Sequence, residues 1–202
     1  MNQAVVKQYL RETYEFFMEL VKSPIPSIQK RHNLNWIQII TYYVVIASAV
    51  SLVASVFKGF VLVLLLMPIQ IALSTVIGYG VIFWIATLIM DMKNIAVDKL
   101  ELAQAWLKGA IWGVLVGSLL GMLSYGLFGA LYFLEAVAPV GFITGSIYLY
   151  YKNKENEDQA KVKKITQVVS ELLLPVVRWI DGRHELGCFI SLRTFKIGRN
   201  TL

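Results

Sequence analysis

The sequence predicts an all-α fold: a polytopic helical membrane protein with four transmembrane helices and an amphipathic cytoplasmic helix at each end. Three observations carry this expectation. First, 57% of the 202 residues are hydrophobic and only 16% are charged, whereas roughly a quarter of a soluble domain is charged. Second, the charge is concentrated at the ends. Between residues 33 and 151 only Lys58, Asp91, Lys93, Asp98, Lys99, Glu101, Lys108 and Glu135 are charged. Third, glycine recurs every fourth residue at Gly109, Gly113, Gly117 and Gly121. In water each such glycine weakens a helix by about 1 kcal/mol relative to alanine. In lipid a row of small residues lets a second backbone approach closely. The ladder reads as a glycine zipper on a helix, not as a phosphate-cradling loop.

Residues 1–34 are expected to form a cytoplasmic amphipathic helix and a Pro-containing linker. Val6, Leu10, Tyr14, Phe17, Met18 and Val21 share one helical face, and Lys7, Arg11, Glu12, Glu15 and Glu19 occupy the rest. That helix suits the membrane interface, a partner or its own bundle equally. Pro24 and Pro26 end it. The N-terminus lacks the early apolar core of a signal peptide.

The transmembrane domain, 35–151, divides into spans at about 36–57, 60–90, 105–128 and 136–151. About 20 apolar residues cross the hydrocarbon. Trp36, Tyr42 and Tyr43 sit near the start of the first, where amphipathic aromatics favour the interface. The second is long for one upright span. It fits a tilted helix kinked near Pro68, or two re-entrant halves around Gly78, Tyr79 and Gly80. A polar connection, 91–104, leads helically into the third span through Leu100, Leu102, Ala103 and Trp106. After a turn at Glu135, Gly141 and Gly145 mark a second small-residue face. The third and fourth spans are expected to pack glycine face to glycine face. Residues 152–202 form a basic tail in which Val162, Ile165, Val168, Val169, Leu172, Leu173 and Val176 recur at helical spacing, with a break near Pro175.

Four spans place both termini and the 91–104 connection on one side. Of 19 Lys and Arg residues, all but Lys58 then lie on that side, so the positive-inside rule makes it cytoplasmic. This orientation accounts for the net charge of +6 without nucleic acid. The membrane is a bacterial inner membrane or an organellar one. Lys30, Arg31, Lys161, Lys163 and Lys164 are candidate contacts to anionic lipid headgroups.

No catalytic set stands out. His32 and His184 lack companions at metal-ligand or catalytic spacing, and the lone Cys188 offers no disulfide or metal cluster. Lys108 is expected to snorkel to the interface. Gln38, Gln70, Ser74, Thr75 and Ser118 are expected to bond between helices. Neither cofactor nor metal is called for.

The order of these features resembles the Yip family of small polytopic membrane proteins. The resemblance rests on the amphipathic stretch ending Val21-Lys22-Ser23-Pro24, on Trp36 leading the first span, and on the polar connection 91–104. It covers residues 15–125. It implies a membrane organiser rather than a catalyst and carries over no functional residue. The family usually has five spans, where this chain shows four and a long basic tail. The expected function is a non-enzymatic membrane scaffold or accessory subunit, with the bilayer and other membrane-protein subunits, or further copies of itself, as partners. The alternative is a small channel or transporter subunit.

Overall fold

A computed structural model of the chain describes residues 3–57, 67–127 and 132–175. Within them every regular element is an α-helix: α1 (Gln3–Lys22), α2 (Pro24–Gln29), α3 (Trp36–Phe57), α4 (Met67–Met92), α5 (Lys99–Leu127) and α6 (Tyr132–Lys152), followed by α7 (159–175). Among the described residues two helices hold stretches long and apolar enough to cross a membrane, Trp36–Val53 in α3 and Lys99–Leu120 in α5. Of these stretches, 67% of the second is buried against 28% of the first, so α5 is the central helix. It pairs most extensively with α6, then with α3, and α4 packs on α3.

Short side chains set the helix boundaries. Asn35 accepts from the Gln38 amide at 2.8 Å while Gln38 Oε1 accepts from the Asn35 amide at 3.0 Å, a reciprocal capping box that starts α3. Gln38 is therefore a cap, not an interhelical bond. Asp98 accepts from the Leu100 amide at 2.9 Å and starts α5, and Asp158 accepts from the Ala160 amide at 3.0 Å and starts α7. α4 closes with Asn94 in the left-handed region at φ 53°. The Ile95 amide reaches back to Met90 O at 2.9 Å and the Asn94 amide to Asp91 O at 3.1 Å. This is a Schellman closure, and the Ile95 that follows it is buried.

Several expectations are corrected. The buried stripe of α1 is Thr13, Phe16 and Leu20, while Leu10, Tyr14 and Val21 stay exposed. The helix is turned from the face that Leu10, Tyr14 and Val21 define. Thr13 tolerates burial because its hydroxyl donates to Tyr9 O at 2.7 Å, and Phe16 stacks obliquely on Tyr42 at 5.3 Å. α4 runs unbroken through Gly78, Tyr79 and Gly80, so the re-entrant halves are absent. Pro68 lies beside residues 58–66, so the kink expected there falls at the edge of the described residues. α5 begins at Lys99, inside the expected polar connection. Glu135, expected in a turn, belongs to α6; its side chain lies outside the described residues, as do 58–66, 128–131, the side chains of Gln70, Ser74 and Thr75, and everything after 175. The expected stripe of α7 is buried at Val162, Ile165, Val168, Val169 and Leu173.

Candidate functional site

The first three turns of α5 carry Glu101, Gln104 and Lys108, three polar residues at i, i+3 and i+7 on one face. All three are buried, at 4, 2 and 0% exposure. They grip the linker between α2 and α3. Lys108 does not snorkel. Its Nζ donates to Ser27 O at 2.8 Å, Ile28 O at 3.3 Å and Lys30 O at 2.6 Å. These carbonyls belong to the C-terminal end of α2, where helical carbonyls lack intrahelical partners and the helix dipole is negative. All three ammonium protons are used, and the helix end takes the place of a counter-ion. An ammonium this deep would otherwise cost several kcal/mol. Gln104 accepts from the His32 amide at 3.3 Å and donates to Leu34 O at 3.4 Å.

Glu101 extends the clasp into an ion network. Its carboxylate receives Arg31 Nη1 at 3.0 Å and Lys154 Nζ at 2.8 Å. Lys154 also reaches Glu157 at 3.2 Å, which pairs with Lys161 at 2.7 Å. The linker, α5, the α6–α7 connection and α7 are thereby joined. The hydrogen bond to Glu101 raises the Lys154 pKa above its ordinary value. Burial pushes Glu157 upward, but the hydrogen bonds from Lys161 and Lys154 outweigh it and the net direction is down. On the α1 side, Glu19 accepts from Lys30 at 2.7 Å and lies 3.4 Å from His32 Nε2. The Lys30 hydrogen bond holds Glu19 below the usual carboxylate range, and burial lowers His32.

The glycine ladder is used on one side only. A Cβ on Gly109 would lie 2.5 Å from Phe142 O and 2.6 Å from Ile143 Cα, and one on Gly113 would collide with Pro139 Cα. Gly109 and Gly113 thus seat the backbone of α6. Gly117 is buried on the same face, and the surroundings of Gly121 lie outside the described residues. A Cβ on Gly141 or Gly145 would meet nothing within 4 Å. The two glycine faces do not meet, because α6 presents Pro139, Phe142 and Ile143 to α5 and turns its glycines away.

Of the five candidate lipid cations, Lys30, Arg31 and Lys161 are engaged by Glu19, Glu101 and Glu157. Lys163 and Lys164 are exposed and carry no ion pair among the described residues. Two apolar clefts flank α5. One of about 180 Å³ lies between α3, α4 and α5, with Trp36, Tyr43, Tyr79, Phe83 and Trp106 in its wall. The other, about 500 Å³, separates α1 from α3 and α5, and Ser118 lies in its wall. Among the described residues no group of His, Cys, Asp and Glu is placed to hold a metal ion.

The clasp escaped the sequence reading, although the 101, 104, 108 spacing on a helix that also carries the ladder was a usable signal. Its partners lie 70 to 81 positions away, beyond the reach of periodicity. Comparison with known proteins returns no protein-family model, no curated protein and no solved structure that matches the chain, so the clasp and the glycine face carry the functional argument by themselves.

Proposed function

We propose that this chain is a non-enzymatic integral membrane scaffold or accessory subunit, with four spans and its C-terminal end on the cytoplasmic side. The observation that carries this reading is the use made of the buried polar side chains of α5. Glu101, Gln104 and Lys108 are each engaged by the chain's own linker or by α6–α7 residues. Groups that would mark a transport path or a reaction centre in a span are here fasteners. The distribution of Lys and Arg supports the orientation. The α5–α6 pair supplies a frame, the exposed face of α3, with Ile37 and Val53 open, supplies surface for lipid, and α1, with Tyr14 open, supplies surface for partner subunits.

The test is extraction from native membranes in mild detergent, followed by measurement of particle mass and co-purifying chains. Stoichiometric foreign subunits, or a defined oligomer of this chain, are expected. Solute flux or substrate turnover by the purified chain in proteoliposomes overturns the proposal in favour of a channel, transporter or enzyme.

A further inference from the structure

We propose that the groove between the end of α4 and α7 binds a phosphate group, from an anionic lipid headgroup or from free phosphate. The groove has a volume of about 340 Å³ and is lined by Lys93, Ile95, Lys164, Gln167 and Val168. Its build is specific. The Schellman closure of α4 places the buried Ile95 in the floor, beside the buried Val168 of α7, and leaves Lys93 exposed at the rim. One turn of α7 then sets Lys164 and Gln167 beside it.

The charges mark this groove out. Many cations on this end of the molecule are matched: Lys30 with Glu19, Arg31 and Lys154 with Glu101, Lys99 with Asp91, Lys161 with Glu157. Lys22, Lys152 and Lys163 carry no ion pair among the described residues, but none of them lines this groove. Lys93 and Lys164 have no ion pair among the described residues, yet both line one groove whose wall contains no carboxylate. Glu171, on α7, accepts one amide proton of Gln167 Nε2 at 2.7 Å, which leaves the second amide proton of Gln167 for a ligand. Two like charges drawn to one concavity repel each other unless an anion sits between them, and a phosphate oxygen accepts from both ammonium groups and from an amide N–H. The lysine at the end of an apolar helix places the groove at headgroup level if α4 is a span. The lipid source rests on the membrane reading above; the phosphate chemistry does not.

The test uses the full chain in vesicles of phosphatidylcholine with and without phosphatidic acid, with lipid retained after detergent extraction counted by native mass spectrometry. The double variant Lys93→Gln/Lys164→Gln is compared with Lys22→Gln/Lys152→Gln, which removes the same charge from exposed positions outside the groove. At the affinity expected per close cation, the groove variant loses phosphatidic acid retention on the order of thirtyfold, and the control loses far less. Displacement of the lipid from the unmodified chain by inorganic phosphate assigns free phosphate as a ligand; lipid retention insensitive to inorganic phosphate assigns the headgroup. Equal losses in the two variants, or none in the groove variant, overturn the site. Failure of the unmodified chain to float with phosphatidylcholine vesicles overturns the membrane reading instead, and inorganic phosphate titrated into the soluble chain and the groove variant then decides the site.

Discussion

Alanine at Gly109 and alanine at Gly141 are the same chemical change in helices of the same kind, and the structure expects opposite results. At Gly109 the new Cβ would stand 2.5 Å from Phe142 O and 2.6 Å from Ile143 Cα. Relaxed contacts between carbons need about 3.5–4.0 Å, so the backbone of α6 must withdraw by about 1 Å. Backbone atoms cannot rotate aside as a side chain can. Overpacking of this kind costs about 1–3 kcal/mol, offset by up to about 1 kcal/mol from the better helix former. At Gly141 the Cβ meets nothing within 4 Å, so the helix-former gain of up to about 1 kcal/mol stands alone. The propensity contribution cancels between the two variants. Their difference, about 1–3 kcal/mol, reports the close approach. At about 2–4 °C per kcal/mol for a chain of this size, Gly109→Ala melts several degrees below Gly141→Ala in the same detergent, followed by tryptophan fluorescence. Equal melting temperatures would refute the one-sided glycine packing.

Lys108→Met strands three carbonyls at the end of α2; a loss of at least about 2 kcal/mol is expected, with faster hydrogen exchange concentrated in residues 24–34. Glu101→Gln releases Arg31 and Lys154 together. Because those cations are 62% and 39% exposed, the loss is held to about 1–2 kcal/mol, and it appears as increased protease cleavage between α6 and α7. Acidification should loosen α1. His32 and Glu19 both have lowered pKa values in the fold, so the folded chain binds fewer protons than the unfolded one and stability falls as pH drops. The loss begins below the ordinary histidine value of 6.5 and continues below the ordinary carboxylate value of 4.5. His32→Gln should abolish the first phase of α1 release, measured by proteolysis at Lys22, and leave the second.

Legibility followed the range of the interaction. α3 was expected to start at 36 and starts at Trp36, because an apolar run behind a capping residue at Asn35 is purely local information. The stripe of α7 was legible for the same reason. α1 departs from its pattern because its buried face joins a threonine and an aromatic residue to Leu20, while Leu10 and Val21 point elsewhere. A threonine that bonds within its own turn is apolar in effect, which a residue scale does not register. The ladder at Gly109 and Gly113 was visible as a small face, but what seats on it was not. A pattern reports the hole, whereas the knob, Pro139 with Phe142 and Ile143, is chosen by the register of two helices. The clasp was least legible, since Ser27, Ile28 and Lys30 contribute only backbone carbonyls and a carbonyl has no signature in sequence.

The position of α1 bears on how the molecule can be wrapped. Phe16 meets Tyr42, and Leu10 shares a groove wall with Val50, Val53 and Leu119, so α1 runs antiparallel alongside the apolar stretch of α3. On its outer side Arg11 and Glu15 pair at 2.8 Å with 81 and 60% of their side chains exposed. Hydrocarbon does not solvate such a pair cheaply. If α3 crosses the bilayer, the ring of annular lipid around it is broken on the α1 side, where water or another polypeptide must stand. The bundle then has a lipid front and a wet or protein-covered back, and any assembly built on it inherits a fixed azimuth.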